Sequence, residues 1–419
     1  MPTDPNRTST EKREAKRLEV IHVASLKMNE RGATSISLSD VAEGAGLSRN
    51  ALYYYFKDRM DLIHACYLYA GEATEADLRI VQDERSGALQ KLSSYIERTL
   101  LGGSAERAVL TDVDLLPEPR RQVICDINER NILLLESIVE QGIASGEIRK
   151  VDPKVTVQVI QGMLSWAQLW YRWADLEESK LANRYASAAN GIAQVIFYGI
   201  SSDRELQFNC DLKLPFLMAR QINTFDSKSL YHEKRFQLIG AASLLFNCKG
   251  VDAASFDDIA EYIGATKGAI YHYFKDKPDL IKACFLQAFD QYEKIADIAS
   301  KCNIDPLSKL LVVLHLNCQA QISNSPPLTL QGTTSPFAHK YASRSRAIAS
   351  NLDDIRSAAV SEGLHRNTDK NIISLAPGAF FWIPRWYAKQ SRISEIDLAD
   401  EICKIMSVGI AMDHIERDS

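Results

Sequence analysis

A chain of 419 residues holds two to four domains at roughly 100–200 residues each, and its 46% apolar content is enough to bury their cores. A net charge of −5 and a pI near 6.0 exclude a protein that coats nucleic acid through bulk charge, so any such contact must be a local surface. No apolar run reaches the ~18 residues of a membrane span, the polar start MPTDPNRTSTEKREAKR lacks the apolar segment of a secretory signal, and the eight cysteines have neither pair nor zinc-ligand spacing, so a cytoplasmic protein with reduced thiols, no metal and no cofactor is expected.

The chain repeats itself. SDVAEGAGLSRNALYYYFKDRMDLIHAC from Ser39 lies opposite DDIAEYIGATKGAIYHYFKDKPDLIKAC from Asp257, 218 positions later and without a gap, and 26 of the 55 residues from Lys16 to Ala70 are identical in the second copy. Similarity fades after Ala70 and returns where Gly162, Trp166, Trp170 and Tyr171 match Gly378, Trp382, Trp386 and Tyr387; a Gly-Ile pair closes each copy. The duplicated unit is therefore ~200 residues long.

In chain order, a first helix carries Leu18, Ile21, Ser25 and Met28 on one face, matched by Phe236, Ile239, Ser243 and Phe246, and Gly32 or Gly250 follows as a C-cap. Ser37 and Ser255 start a second, short helix, each with an aspartate three residues on. Gly46 and Gly264 break it, and a third helix follows, from about Ser48 to Tyr55 and from Thr266 to Tyr273. Two short helices joined by a tight glycine turn form a helix-turn-helix. The exposed face of the third helix offers Ser48, Arg49, Asn50, Tyr53, Tyr54 and Tyr55 in one copy and Thr266, Lys267, Gly268, Tyr271, His272 and Tyr273 in the other. Hydroxyls, a cation and tyrosine O–H groups there suit a major groove and its phosphates, whereas Leu52, Phe56, Ile270 and Phe274 suit a core. Basic residues flank both modules: Arg7, Lys12, Arg13, Lys16 and Arg17 in the first, Lys228, His232, Lys234 and Arg235 in the second, candidates for arms that reach a minor groove.

Both segments, GATSISLSDVAEGAGLSRNALYYYFKDRMDL and GVDAASFDDIAEYIGATKGAIYHYFKDKPDL, resemble the N-terminal domain of the TetR/AcrR family of bacterial repressors. The resemblance is strong over about 50 residues of each copy and weak elsewhere. It implies an all-α subunit, a small-molecule pocket in the C-terminal part, and release of double-stranded DNA when ligand binds. Carried over by position, it makes the third helix the reader and Tyr53, Tyr54, Lys57, Tyr271, His272 and Lys275 phosphate or base contacts; Ser37 and Ser255 complete the DNA-facing set. Family members are usually homodimers of single copies, and this chain departs by carrying two. The readers SRNALYYY and TKGAIYHY differ: Arg49 can pair with guanine and Asn50 with adenine, and Gly268 with neither. Two unlike half-sites are expected.

The back halves read as long helices over Leu133 to Ile143, Val155 to Trp173 and Ala182 to Ile200. Trp166, Trp170 and Tyr171 in the first copy and Phe381, Trp382 and Trp386 in the second make aromatic stretches, with Pro384 expected to kink the second. Such stripes serve a core or interface, or line a pocket for an apolar or aromatic effector of sterol or acyl-thioester type. Pro-rich runs at 115–122 and 324–336 read as loops. The expected architecture is all-α: a flexible basic arm (1–16), a first helix-turn-helix domain (17–64), a first helical regulatory domain (65–200), an inter-repeat segment that packs on its neighbours (201–229), a second helix-turn-helix domain (230–282) and a second helical regulatory domain (283–419). The two copies make either an intramolecular pseudo-dimer or, with a second chain, a homodimer of tandem chains. No phosphate-loop, dinucleotide, nucleophile-elbow or zinc-protease motif is present and the eight histidines are scattered; the expected function is a ligand-released repressor, the alternatives being a DNA-binding scaffold without ligand control or an enzyme.

Overall fold

The computed structural model describes residues 9–101, 107–173, 178–214, 226–329, 336–366, 372–387 and 393–412, without the side chains of 9, 170–173, 178–183 and 336–342. All regular elements among them are helices. The first copy contains α1 (Ser9–Arg31), α2 (Leu38–Gly44), α3 (Arg49–Leu52), α4 (Arg59–Asp83), α5 (Ala88–Leu101), α6 (Arg120–Ser145), α7 (Pro153–Trp173) and α8 (Glu178–Tyr198). The second contains α9 (Ser227–Lys249), α10 (Phe256–Tyr262), α11 (Lys267–Tyr273), α12 (Lys277–Lys301), α13 (Pro306–Ile322), α14 (Pro336–Ser361), α15 (Ile372–Leu375), α16 (Gly378–Phe381), α17 (Ile383–Trp386) and α18 (Glu395–Val408).

Local chemistry sets the helix starts. Ser37, Ser48 and Asp58 each accept a backbone N–H three residues on, as Ser255, Thr266 and Asp276 do in the second copy, and Ser255 and Asp258 complete a reciprocal capping box. Gly46 and Gly264, at φ 62° and 64°, make the turn between the second and third helices, a backbone that other L-residues rarely adopt. Each three-helix module closes its own core, around Ile21, Leu52 and Phe56 in one and Ile239, Ile270 and Phe274 in the other.

The back halves share one core, to which α8 contributes Ile192, Val195 and Ile196 and α18 contributes Ile402, Ile405 and Met406. Across it the copies exchange equivalent contacts. Ile200 N–H donates to Met406 C=O (3.0 Å) and Ile410 N–H to Ile196 C=O (2.9 Å); Arg149 N–H donates to Ile410 C=O and Arg366 N–H to Ile200 C=O, both at 2.8 Å. Each pair is one bond with the copies interchanged, the signature of a two-fold relation. Gly162 and Gly378 touch backbone to backbone: a Cβ on Gly162 would lie 2.3 Å from Gly378 O.

Three expectations differ from what is found. α1 begins at Ser9, so 9–16 is helix rather than flexible arm, with Lys16 bonded to Glu19 (2.9 Å) and to the Ala45 carbonyl; Arg7 lies outside the described residues. α3 ends at Leu52, short of Tyr55, whereas α11 runs to Tyr273. The counterpart of α7 in the second copy is interrupted twice, leaving α15, α16 and α17 between and around Pro377 and Pro384. Of the inter-repeat segment, Leu212 and Leu214 clip onto α13 through the Gln319 amide, and 215–225 lies outside the described residues.

Candidate nucleic-acid interface and cavities

The capped starts of α3 and α11 fix which side chains face outward. Ser48, Arg49, Asn50, Tyr53, Tyr54 and Lys57 are all exposed, as are Thr266, Lys267, Gly268, Tyr271, His272 and Lys275. Tyr54 is 64% and Tyr271 53% exposed, a large apolar area for water to cover unless a partner does. Ser37 is exposed and Ser255 half-buried; both hydroxyls are engaged as caps. Leu52, Phe56, Ile270 and Phe274 are buried beneath.

The two surfaces are built alike and decorated differently. Arg17 stacks over Phe56 and, equivalently, Arg235 over Phe274, at 5.2 and 4.8 Å. Arg13 lies over the Tyr54 ring at 4.7 Å; at the same two positions of the second copy Tyr231 meets His272 edge-on, 6.0 Å between centroids. Among the described residues Arg49 reaches only the Tyr53 hydroxyl (3.4 Å). Lys267 is bound to Asp257 at 2.7 Å, and that carboxylate raises the ammonium's pKa above its ordinary value. The first copy has Ser39 where Asp257 stands.

Two cavities open to the surface lie on either side of the two-fold relation. One, about 170 Å³, belongs to the second copy and is lined by Phe289, Tyr292, Ile348 and Phe381, with Trp166 reaching in from the first copy. Trp166 is held by donating from Nε1 to the Ser374 carbonyl (2.7 Å) and packs edge-on against Phe381, 5.0 Å between centroids. The Asn317 Nδ2 donates to Val313 C=O, while its Oδ1 is buried without a partner. The other cavity, about 230 Å³, belongs to the first copy, and Trp382 and Trp386 reach into it from the second. Of the aromatic residues singled out in the sequence, the tryptophans Trp166, Trp382 and Trp386 are crossed into the other copy's cavity, whereas Phe381 lines its own copy's. The side chains of Trp170 and Tyr171 lie outside the described residues.

Sequence reasoning missed Arg385. Half-buried at the junction of the copies, it donates from Nε to Asn247 C=O (2.9 Å), from Nη1 to Leu110 C=O (2.7 Å) and from Nη2 to Thr111 C=O. A lone arginine inside the GAFFWIPRWY stretch was the available signal.

Among known proteins, residues 21–66 and again 238–284 match the family described as bacterial regulatory proteins, tetR family, and residues 89–191 match the Tetracyclin repressor-like, C-terminal domain. The chain is 28% identical over 156 residues to the fatty acid metabolism regulator protein of Bacillus subtilis, covering 36% of this chain and 79% of that one. It is 25% identical over 199 residues to the HTH-type transcriptional repressor KstR2 of Mycolicibacterium smegmatis, covering 44% and 94%. A solved structure of FadR from Bacillus subtilis in complex with stearoyl-CoA aligns with a TM-score of 0.31 and 22% identity, over 42% of this chain and 97% of that one.

Proposed function

The chain belongs to the TetR family of bacterial regulatory proteins and is a DNA-binding transcriptional regulator, not an enzyme; from that premise we propose that it is a repressor whose two unlike readers, held by one chain as a pseudo-dimer, bind an operator with two different half-sites. The observation that carries this reading is the pair of reading surfaces on equivalent folds: Arg49 and Asn50 in one, Lys267 tied to Asp257 beside Gly268 in the other. A homodimer presents the same reader twice and selects a palindrome; two readers with different donors select different bases. The exchanged backbone bonds between the copies support the pseudo-dimer.

The effector is an apolar molecule, such as an acyl chain, held in the second copy's cavity. Its aromatic and aliphatic walls support this, as does the likeness to a fatty acid metabolism regulator. The unpaired Asn317 Oδ1 supplies one orienting acceptor. Filling the cavity presses on Trp166 and Phe381, which couple it to the first copy and so to the spacing of the readers.

Selection of bound sequences from a random DNA pool tests the operator. An asymmetric consensus is expected, and Arg49→Ala is expected to relax one half-site at a cost of about 1–3 kcal/mol. A palindromic consensus, or equal loss in both halves, refutes the reading.

A further inference from the structure

We infer that the first copy's cavity is a second effector site, for a small uncharged polyhydroxylated ligand of the sugar or polyol class, so that the protein answers two chemically different signals. The cavities occupy the same place in their copies. α4 and α12 have equal length, and Gly71 and Thr74 stand on α4 where Phe289 and Tyr292 stand on α12. Counting back from the positive-φ glycines Gly146 and Gly363, Asn131 of α6 stands where α14 has Ile348. Ser165 occupies the position of Phe381, as Trp166 does that of Trp382. At each of these points an apolar or aromatic group in one cavity faces a small or polar one in the other.

Four amide side chains of the first cavity keep hydrogen-bonding capacity to spare. Gln158, Gln161 and Gln168 line it and make no hydrogen bond among the described residues, although Gln168 is only 7% exposed. Asn131 donates to Gly71 C=O (3.0 Å), and its Oδ1 is buried without a partner. Buried amides left unpaired cost stability, and a ligand that pairs them recovers it. Amides both donate and accept, which matches hydroxyl groups. No carboxylate lines the cavity among the described residues, Arg107 is paired with Asp77 at 2.8 Å, and each of the three Arg385 nitrogens donates to a carbonyl. Trp382 and Trp386 supply flat apolar surfaces for the CH face of a ring. The site stands apart from the apolar one, so either assignment can fail alone.

Thermal unfolding of the full chain tests it, with aldohexoses, aldopentoses and alditols at millimolar concentration as polar probes and palmitate as the apolar probe. At least one polar probe is expected to raise Tm by roughly 1.5 °C at ten times its Kd. Gln168→Leu has no hydrogen bond to lose on folding and is expected to abolish that shift while leaving the palmitate shift intact. Ser165→Phe, which puts in the first cavity the ring that lines the second, is expected to do the same. The inference is overturned if no polar probe moves Tm, or if the shift survives in Gln168→Leu. Loss of the palmitate shift alone in wild type would overturn the apolar effector and leave this site standing.

Discussion

Asp112 shows how one residue registers the joining of the copies. It is 4% exposed, the Thr111 hydroxyl donates to it, and Arg385 lies nearby, yet burial outweighs both and pushes its carboxyl up to about 6; the Asp252 carboxylate adds to the rise. Gly250 leaves room for it, since a Cβ there would collide with Asp112 Oδ1. The native state therefore holds this proton more tightly than the unfolded chain, whose value is 3.8. Stability contributed by the protonated form is complete below about pH 4 and is lost as pH rises through about 6. Asp112→Asn keeps the shape without the charge. It is expected to match wild type at pH 4 and to exceed it by about 1–3 kcal/mol at pH 7.5 in urea unfolding; equal or lower stability at pH 7.5 would sink this account. On the reading surface, Asp257 both occupies Lys267 and repels phosphate. Asp257→Ser is expected to tighten DNA binding several-fold, with the gain confined to the second half-site, since an exposed ion pair is worth at most about 1 kcal/mol. A gain spread over both half-sites would count against separate readers.

At the scale of elements, two helical glycines ask for opposite outcomes from the same substitution. Gly378 opens α16 against α7, where a Cβ would lie 2.5 Å from Met163 Cα and 2.8 Å from Gly162 O, both backbone atoms that cannot yield without moving a helix. Gly191 sits inside α8, and among the described residues nothing lies within 4 Å of its Cβ position. Gly378→Ala is expected to destabilise by about 1–3 kcal/mol, and Gly191→Ala to stabilise by about 0.5–1 kcal/mol, both read from urea midpoints. What was legible in the sequence follows the same division between local and distant causes. The caps at Ser48 and Thr266 and the turns at Gly46 and Gly264 act within four residues, so the helix-turn-helix could be read directly. Pro384 announced a break for the same reason. The crossing of Trp166 and Trp382 into opposite cavities depends on a contact between residues more than 200 positions apart, and no periodicity encodes it. The helical start at Ser9 was hidden because KREAKR reads as a solvated charge run until Lys16 finds Glu19 and the Ala45 carbonyl.

The whole molecule poses the question of how many chains make one reader pair. Apolar residues of α8 and α18, among them Ile192, Val195, Ile196, Ile402, Ile405 and Met406, are buried in one core that both copies build within the chain. Gly199 and Gly409 allow the closest approach: their Cβ positions would lie 2.2 Å from Ser407 O and 2.3 Å from Phe197 O, so each copy's chain end seals the other. A face so satisfied has little left to offer another chain, and burying it again would require undoing the hydrogen bonds that cross it. Light scattering is therefore expected to give the single-chain mass of 46.9 kDa, free and ligand-loaded, and one chain per operator duplex. A particle of twice that mass on one operator would mean four readers on the DNA and would return the tandem arrangement to a homodimer of doubled chains. Residues 1–214 expressed alone, stripped of the second copy, are expected to self-associate through the uncovered α8 face, and a monomeric, folded fragment would show that the shared core is dispensable.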